Sequence, residues 1–231
     1  MKTKQSIPRL QDAGYFTFDD PNPGVLRNPD LEKEEDFTAM PAYDPSQGKL
    51  RHILIKYSWV ECEGHTREIS HITVLNLADG KEMINSYVWP KDLVARWDKH
   101  SNDQIIKEEV LVEASLTGGL LLGREATRKK LTQVVDAETI FVGCNLALSL
   151  KALRISHKHI FDYSIAQKDS ATSTDAMEKT PWWQYPLPKS IEKVEPDADG
   201  RLGYYEEAFR SRDIAIRCVK QPWAVRRPRE D

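Results

Sequence analysis

The clearest pattern of apolar and polar positions lies in residues 52–60, where apolar side chains recur with a period of two. The residues on one face are Ile53, Ile55, Tyr57 and Trp59, and Leu54 and Val60 add apolar side chains to the other face. A period of two with apolar residues on both faces is typical of a strand in the interior of a sheet. The pattern therefore predicts a central strand.

Two further strands are predicted directly after it, over residues 71–77 and 83–89. Asp79 and Gly80 between them give a hairpin-turn signal, and Pro90 ends the third strand because proline cannot donate a ladder hydrogen bond. Residues 1–50, by contrast, are rich in Pro, Asp, Asn and Gly and sustain neither the strand period nor the helix period. We expect this segment to be an extended or partly disordered N-terminal arm.

After the three strands, the pattern changes to helices separated by short strands. The predicted helices span residues 101–117, 124–135, 145–153 and 204–219, and the predicted strands among them span 139–142 and 159–162. Ser101 and Gln104 form a capping-box signal for the first helix, and Asn145 is predicted to cap the third. Three prolines within residues 180–188 exclude a long helix from the polar, irregular segment 163–200.

This order of elements is that of an RNase H-like α/β fold. It predicts a mixed sheet of about five strands, three antiparallel and two parallel, flanked by helices. The predicted domain covers residues 51–220 and includes the irregular insertion 163–200, and residues 221–231 form a short basic C-terminal tail.

Composition places this domain among intracellular globular proteins of the nucleus or cytoplasm. The 231 residues are 40% hydrophobic and 30% charged, and no run approaches the roughly 18 apolar residues of a membrane span. The first residues lack the apolar core of a secretory signal. Three widely spaced cysteines without a CxxC pair predict reduced thiols and no zinc site. A net charge of -3 argues against a strongly basic nucleic-acid-binding surface.

The first candidate chemistry is a pair of carboxylates, Glu61 and Glu63, at the end of the central strand. Strand side chains alternate, so residues at i and i+2 point to the same face. Two neighbouring carboxylates can hold a divalent metal ion through their oxygen atoms. The alternative is a solvated strand end without chemistry.

Three segments, residues 60–63, 142–153 and 206–208, carry a resemblance to a known family. They read Val-Glu-Cys-Glu, Val-Gly-Cys-Asn-Leu-Ala-Leu-Ser-Leu-Lys-Ala-Leu and Glu-Glu-Ala. In order and spacing they resemble the DEDDh 3′–5′ exonucleases, in particular the fungal Rex-like RNA exonuclease branch, over residues 52–220. The resemblance implies single-stranded RNA or DNA as the partner, and Mg²⁺ or Mn²⁺ as the cofactor of an active site.

The resemblance also implies where a site would lie and how far it has degenerated. The family-equivalent positions are Glu61, Glu63, Ser149, Leu202 and Glu207. Two-metal hydrolysis needs clustered carboxylates and, in this family, a histidine that takes a proton from the attacking water. Ser149 stands in place of the third acid, and Leu202 stands in place of the histidine. Only Glu61, Glu63 and Glu207 remain as metal ligands, because a serine hydroxyl is a poor magnesium ligand and leucine accepts no proton.

Three functions are compatible with these residues. The first is a catalytically weak or inactive exonuclease-like domain that binds nucleic acid or a protein partner, including a second copy of itself. The second is a divergent metal-dependent exonuclease that adds a compensating acid such as Asp162 to the three glutamates. The third is a repurposed cleft that binds a small molecule or serves as an interaction scaffold, with Pro181, Trp182 and Trp183 as candidate lining.

Overall fold

The computed structural model describes residue 10, residues 37–100 and 106–165, and residues 208–209 and 211–216. The strands are β1 (Thr38–Ala39), β2 (His52–Cys62), β3 (Arg67–Asn76), β4 (Glu82–Trp89), β5 (Val94–His100), β6 (Leu120–Leu122), β7 (Ile140–Gly143), β8 (Ile155–Ser156) and β9 (Ile160–Asp162). The helices are α1 (Glu108–Leu116), α2 (Gly123–Thr132) and α3 (Leu146–Ala152), and short 3₁₀ helices cover Pro45–Gln47 and Glu63–His65. Residues 208–209 and 211–216 are also helical.

Within these ranges the main sheet has seven strands, in the order β6-β4-β3-β2-β7-β9 with β5 paired to β2. The hairpin strands β2, β3 and β4 are antiparallel neighbours, whereas β7 and β9 run parallel to β2. These five strands confirm the predicted RNase H-like α/β fold with three antiparallel and two parallel strands. The edge strand β6 and the extra strand β5 were not predicted.

Helices cover both faces of β2, as its apolar pattern predicts. Ile53 and Ile55 pack with residues of α2 and α3 on one face. Leu54 packs on the other face against the helical residues Phe209 and Ile214. On that second side of the sheet, α1 lies over β4. Full burial on both faces explains why the strand carries apolar residues at successive positions.

The first predicted helix is wrong in its start. Ile106 and Lys107 are not helical, and α1 begins only at Glu108. The predicted capping residues Ser101 and Gln104 lie outside the described residues. Residues 94–100, before the predicted helix, form β5, and its backbone pairs with the end of β2. Three of its seven residues are charged and its apolar alternation is weak, although Trp97 packs against the cluster around Tyr87 and Leu111.

The end of the predicted N-terminal arm lies against the domain. Residues of β1 pair in parallel with β8, and Phe37 and Met40 beside β1 are buried. The Lys49 ammonium donates to the carbonyl oxygens of Thr132 and Gln133 at the end of α2, at 3.0 and 2.8 Å. The division into arm, domain, insertion and tail stays a prediction, because most of the arm, insertion and tail lies outside the described residues. Among the described residues, no helix has the length and apolar character needed to span a membrane.

Candidate functional site

The two predicted metal ligands at the end of β2 lie in different surroundings. Glu61 is part of β2 and only 8% exposed. Glu63 is exposed and begins the 3₁₀ turn that follows, where Gly64 has a φ of 72°. The Glu63 N–H donates to the Leu93 carbonyl oxygen at 2.8 Å. Glu61 is therefore buried within the sheet, whereas Glu63 is exposed to solvent.

Strand pairing surrounds Glu61 with arginine positions. Glu61 pairs in register with Arg67 on β3 and, on its other side, with Arg96 on β5. The Arg67 guanidinium lies over the Trp59 ring, 4.3 Å from its centroid. A two-metal site needs several carboxylates around the cations, and the Arg67 guanidinium adds charge of the same sign as the metal. Within the described part of the chain, no three His, Cys, Asp or Glu side chains are grouped closely enough to hold a metal ion.

Ser149 lies on α3, which packs against β2 away from Glu61. The parallel register sets Leu54 beside Val142, so β7 ends with Gly143 beside Ile55. The helix α3 starts immediately after, and its Ser149 side chain is fully buried. Ser149 Oγ makes no well-formed hydrogen bond, yet it lies near enough to the Tyr57 hydroxyl to act on the Tyr57 pKa. The position of Ser149 is therefore at the level of Tyr57.

The structure does not bring Ser149 together with Glu61. Tyr57 and Glu61 are four positions apart, which corresponds to about 13 Å along a strand. Tyr57 is the β2 residue beside Ser149, and neither it nor its neighbours Lys56 and Ser58 are carboxylates. Sequence similarity aligned the segments, but the pairing register between β2 and β7 decides which residues face each other. Two other family-equivalent positions, Leu202 and Glu207, lie outside the described residues.

A cluster of polar groups, here called the β7 notch, is formed by Tyr57, Cys144, Asn145 and Ser149 at the end of β7. The Tyr57 hydroxyl donates to the Asn145 carbonyl oxygen at 3.5 Å. Burial raises the pKa of Tyr57 to about 12, the Ser149 hydroxyl opposes that rise, and the nearby Cys144 and Asp162 add to it. The phenol is therefore neutral at physiological pH. The neutral hydroxyls of this cluster can donate and accept hydrogen bonds, but they supply no anionic ligand for a cation.

Asp162, the predicted compensating acid, holds the start of α3. Its carboxylate accepts from the N–H groups of Asn145 and Leu146 at 3.1 and 3.0 Å, and from Ser164 N and Oγ at 2.9 and 2.6 Å. The side chain is only 2% exposed. The predicted cap by Asn145 is wrong: Asn145 has a φ of 53° and makes no side-chain cap. An N-cap side chain works from an extended backbone, so the neighbouring strand supplies the acceptor instead.

Sequence reasoning treated Tyr57 only as a core residue and missed its place beside Ser149. Alternation gives the face of a strand residue, but the helix that covers it depends on long-range packing. The role of Asp162 had a local signal. An Asp followed two residues later by Ser is typical of a turn in which the carboxylate binds the downstream N–H group.

The raised Tyr57 pKa leads to a testable pH dependence. Unfolded tyrosine loses its proton near pH 10, whereas the folded phenol keeps it to about pH 12. The unfolded state therefore binds fewer protons in this window, and stability falls as the pH rises through it. We expect Tyr57→Phe to remove part of that fall, up to about 2 kcal/mol between pH 9.5 and 11.5.

Urea denaturation of both proteins across this pH range measures the difference. Burial also raises the pKa of Tyr163, but Tyr163 is present in both proteins, so its contribution to the pH dependence cancels in the difference. Equal pH slopes for the wild type and the variant would contradict a buried Tyr57 phenol.

Comparisons with known proteins agree with this fold. No family model matches the chain, and no curated protein matches its sequence. The structure is similar to the Pan2 catalytic unit of Neurospora crassa, which contains protease and nuclease domains, with 14% identity and a TM-score of 0.51 over 94% of this chain and 33% of that one. It is also similar to two Saccharomyces cerevisiae Pan2 structures, a pseudoubiquitin hydrolase–RNA exonuclease module and a pseudoubiquitin-hydrolase–RNase module, each with 13% identity and a TM-score of 0.49.

One of these yeast structures contains AAGGA RNA; the matches cover 91% and 92% of this chain and 34% of each yeast chain. This chain thus spans about a third of the length of each matched structure. The likeness to the Neurospora unit supports an exonuclease-like fold of the RNase H type.

Proposed function

We propose that this chain is an exonuclease-fold domain that does not hydrolyse nucleic acid and that acts by binding. The supporting observation is that Ser149, at the third-acid position, lies beside the Tyr57 hydroxyl and not beside Glu61. Metal-dependent phosphodiester cleavage needs carboxylates gathered at one place. Here the third-acid position has a neutral hydroxyl beside it, and Glu61 lies about 13 Å further along the strand.

The divergent-exonuclease alternative depends on Asp162 as a replacement acid. That carboxylate accepts four hydrogen bonds from Asn145, Leu146 and Ser164. A carboxylate used to hold a helix start cannot move to a metal without leaving buried N–H groups unpaired. The alternative therefore has little support. The residues named for a small-molecule pocket, Pro181 to Trp183, lie outside the described residues.

Single-stranded nucleic acid is the ligand that we propose for the surface around Tyr57. Tyr57 is half-buried, and tyrosine hydroxyl groups contact phosphate and sugar oxygens in protein–nucleic acid complexes. Lys56, half-buried on the other face of β2, adds positive charge nearby. Such contacts need no metal ion. Binding of nucleic acid in the absence of metal ions would distinguish this proposal from a slow enzyme. In such an enzyme the metal ions help to hold the substrate phosphate.

A paired assay tests the proposal on the purified full chain. With labelled single-stranded RNA and DNA in Mg²⁺ or Mn²⁺, we expect no 3′ trimming above the buffer control. In EDTA, fluorescence anisotropy should show binding of the same strands, weaker at higher salt. Lys56→Gln should weaken binding about tenfold, the value of one charge-assisted hydrogen bond. Lys81→Gln, at an exposed lysine in the β3–β4 turn, is the matched control and should bind as the wild type does.

Two results would overturn the proposal. Robust 3′ trimming that disappears in Glu63→Ala would show an active metal site at the end of β2. No detectable binding of RNA or DNA in EDTA would remove nucleic acid as the ligand of the surface around Tyr57.

A further inference from the structure

An arginine and a tryptophan form a cation–π pair near the end of β2. The Arg67 guanidinium carbon lies over the Trp59 ring, 4.3 Å from the ring centroid. This distance is well inside the roughly 6 Å within which a cation is attracted to the face of an aromatic ring. Trp59 is half-buried and Arg67 is exposed, so the guanidinium is the outer member of the pair. The side of the guanidinium away from the ring therefore faces solvent.

This pair lies on the same face of β2 as Tyr57. Tyr57 and Trp59 are two positions apart, and strand side chains alternate between faces. Tyr57 pairs in register with Ile72 and Trp59 with Ile69, and both isoleucines are buried in one core cluster. The register shift between these pairs puts its extra residue, Ser70, on β3, so the alternation of β2 is kept. The cation–π pair therefore continues the surface around Tyr57 toward the end of the strand.

The charges around the pair suit an anionic strand. Burial raises the pKa of Tyr57, and Arg67 is among the groups that oppose this rise, so its charge lies close to the phenol. Glu61, the register partner of Arg67, is only 8% exposed. Glu68 is buried on the opposite face, and the exposed Glu63 lies in the turn beyond β2. The guanidinium is therefore the charge that this part of the surface presents to solvent.

We propose that the Trp59–Arg67 pair is a stacking site for one unpaired base of single-stranded RNA or DNA. The base lies on the solvent side of the guanidinium, and the adjoining sugar and phosphate run toward the Tyr57 hydroxyl. Planar bases stack on guanidinium groups and aromatic rings in complexes with single strands. A guanidinium held by a ring also loses less conformational freedom on binding. This inference rests on the proposed function and deepens it, because it adds a base contact to the backbone contacts.

The test compares two fluorescein-labelled strands on the purified full chain in EDTA, followed by anisotropy. One is an RNA of about six nucleotides in which every base is uracil, a length within the range of single-strand binding sites. The other has the same backbone, length and charge but no bases. We expect the wild type to bind the strand with bases about tenfold more tightly, the value of one stacked base. Because the charges are equal, the ratio of the two affinities isolates the contribution of the bases.

Variants of the pair identify where the base binds. Arg67→Lys keeps the positive charge but removes the planar guanidinium. We expect this variant to bind the strand without bases as the wild type does, and its preference for bases to fall below about twofold. Trp59→Leu removes the supporting ring and should also reduce the preference. The matched control is Arg51→Lys, which should keep it: the Arg51 guanidinium lies over the Tyr43 ring, 5.2 Å from the centroid, at the opposite end of β2.

Three results would overturn this inference and leave the proposed function standing. Equal affinity of the wild type for the two strands would show that only the backbone is contacted. An equal loss of affinity for both strands in Arg67→Lys would make Arg67 a phosphate contact. A preference that survives in both Arg67→Lys and Trp59→Leu would place the base elsewhere. Binding of neither strand would overturn the proposed function and this inference with it, so the two failures are distinguishable.

Discussion

Replacement of Asp162 by alanine is expected to lower the free energy of unfolding by about 3 kcal/mol or more, the combined effect of a lost helix cap and buried unpaired donors. The carboxylate accepts four hydrogen bonds and is 2% exposed. Removing it leaves the Asn145 and Leu146 N–H groups without an acceptor at the first turn of α3. A helix N-terminus also favours a negative charge, which alanine removes.

Urea denaturation followed by circular dichroism measures this loss. The matched control is Asp162→Asn, which keeps one acceptor oxygen and should lose about half as much stability. A loss below about 1 kcal/mol for alanine would mean that the carboxylate is not needed to hold α3. Asp162 would then be available as a metal ligand, and the divergent-exonuclease alternative would regain support.

Replacement of Gly143 by alanine is expected to lower the free energy of unfolding by about 3 kcal/mol, the upper part of the range for overpacking a well-filled core. A Cβ at this position would lie 2.5 Å from Leu146 Cδ2 and 2.8 Å from the Ile55 carbonyl oxygen. The leucine side chain can shift, but the carbonyl belongs to β2 next to the site of its pairing with β7. The added methyl group therefore pushes β7 and the start of α3 away from β2.

A double-mutant cycle identifies the contact. Leu146→Ala removes the Cδ2 atom, so the double variant Gly143→Ala with Leu146→Ala should be more stable than the sum of the single changes predicts. Gly118→Ala is the matched glycine control, because its φ is 74° and no atom lies within 4 Å of the added Cβ. Its cost should be about 1 kcal/mol, from the left-handed backbone alone. Strict additivity of Gly143→Ala and Leu146→Ala would contradict the close approach.

Gly143 and Asp162 both determine the structure at the end of β7. Gly143 lets β7 end directly against β2, and Asp162 holds the first turn of α3 over that end. Between them they fix Asn145 and Ser149 beside Tyr57, which forms the β7 notch. If the proposed function holds, a small loss of either contact should change nucleic-acid binding before it unfolds the domain.

The order of elements was readable from the sequence because each strand and helix carries its own period. The apolar alternation around Ile53 and Ile55 gave β2, and the turn at Asp79 and Gly80 gave the β3–β4 hairpin. These are local signals, since a strand must match its apolar side chains to a buried face wherever it lies. The same reasoning missed β5, whose apolar alternation is weak and whose backbone pairs with β2.

The sequence predicted only part of the candidate site. The exonuclease-like fold was predicted from the order of elements and agrees with the structure, whereas the assignment of Glu61 and Ser149 to site positions stays a prediction. The relative position of Glu61 and Ser149 could not be predicted from the sequence. Register between β2 and β7 is set by packing of the whole sheet, and it places Ser149 with Tyr57 and leaves Glu61 between Arg67 and Arg96.

By itself, then, the sequence determined the fold class, the central strand and the absence of an acid at position 149. Only the tertiary structure decided that Glu61 and Ser149 lie at different levels, that Asp162 serves α3, and that the Arg67 guanidinium lies over the Trp59 ring. The physical reason is the range of the interactions. Periodicity and residue type are properties of neighbouring positions, whereas strand register and helix placement depend on residues about 20 to 140 positions apart in the chain.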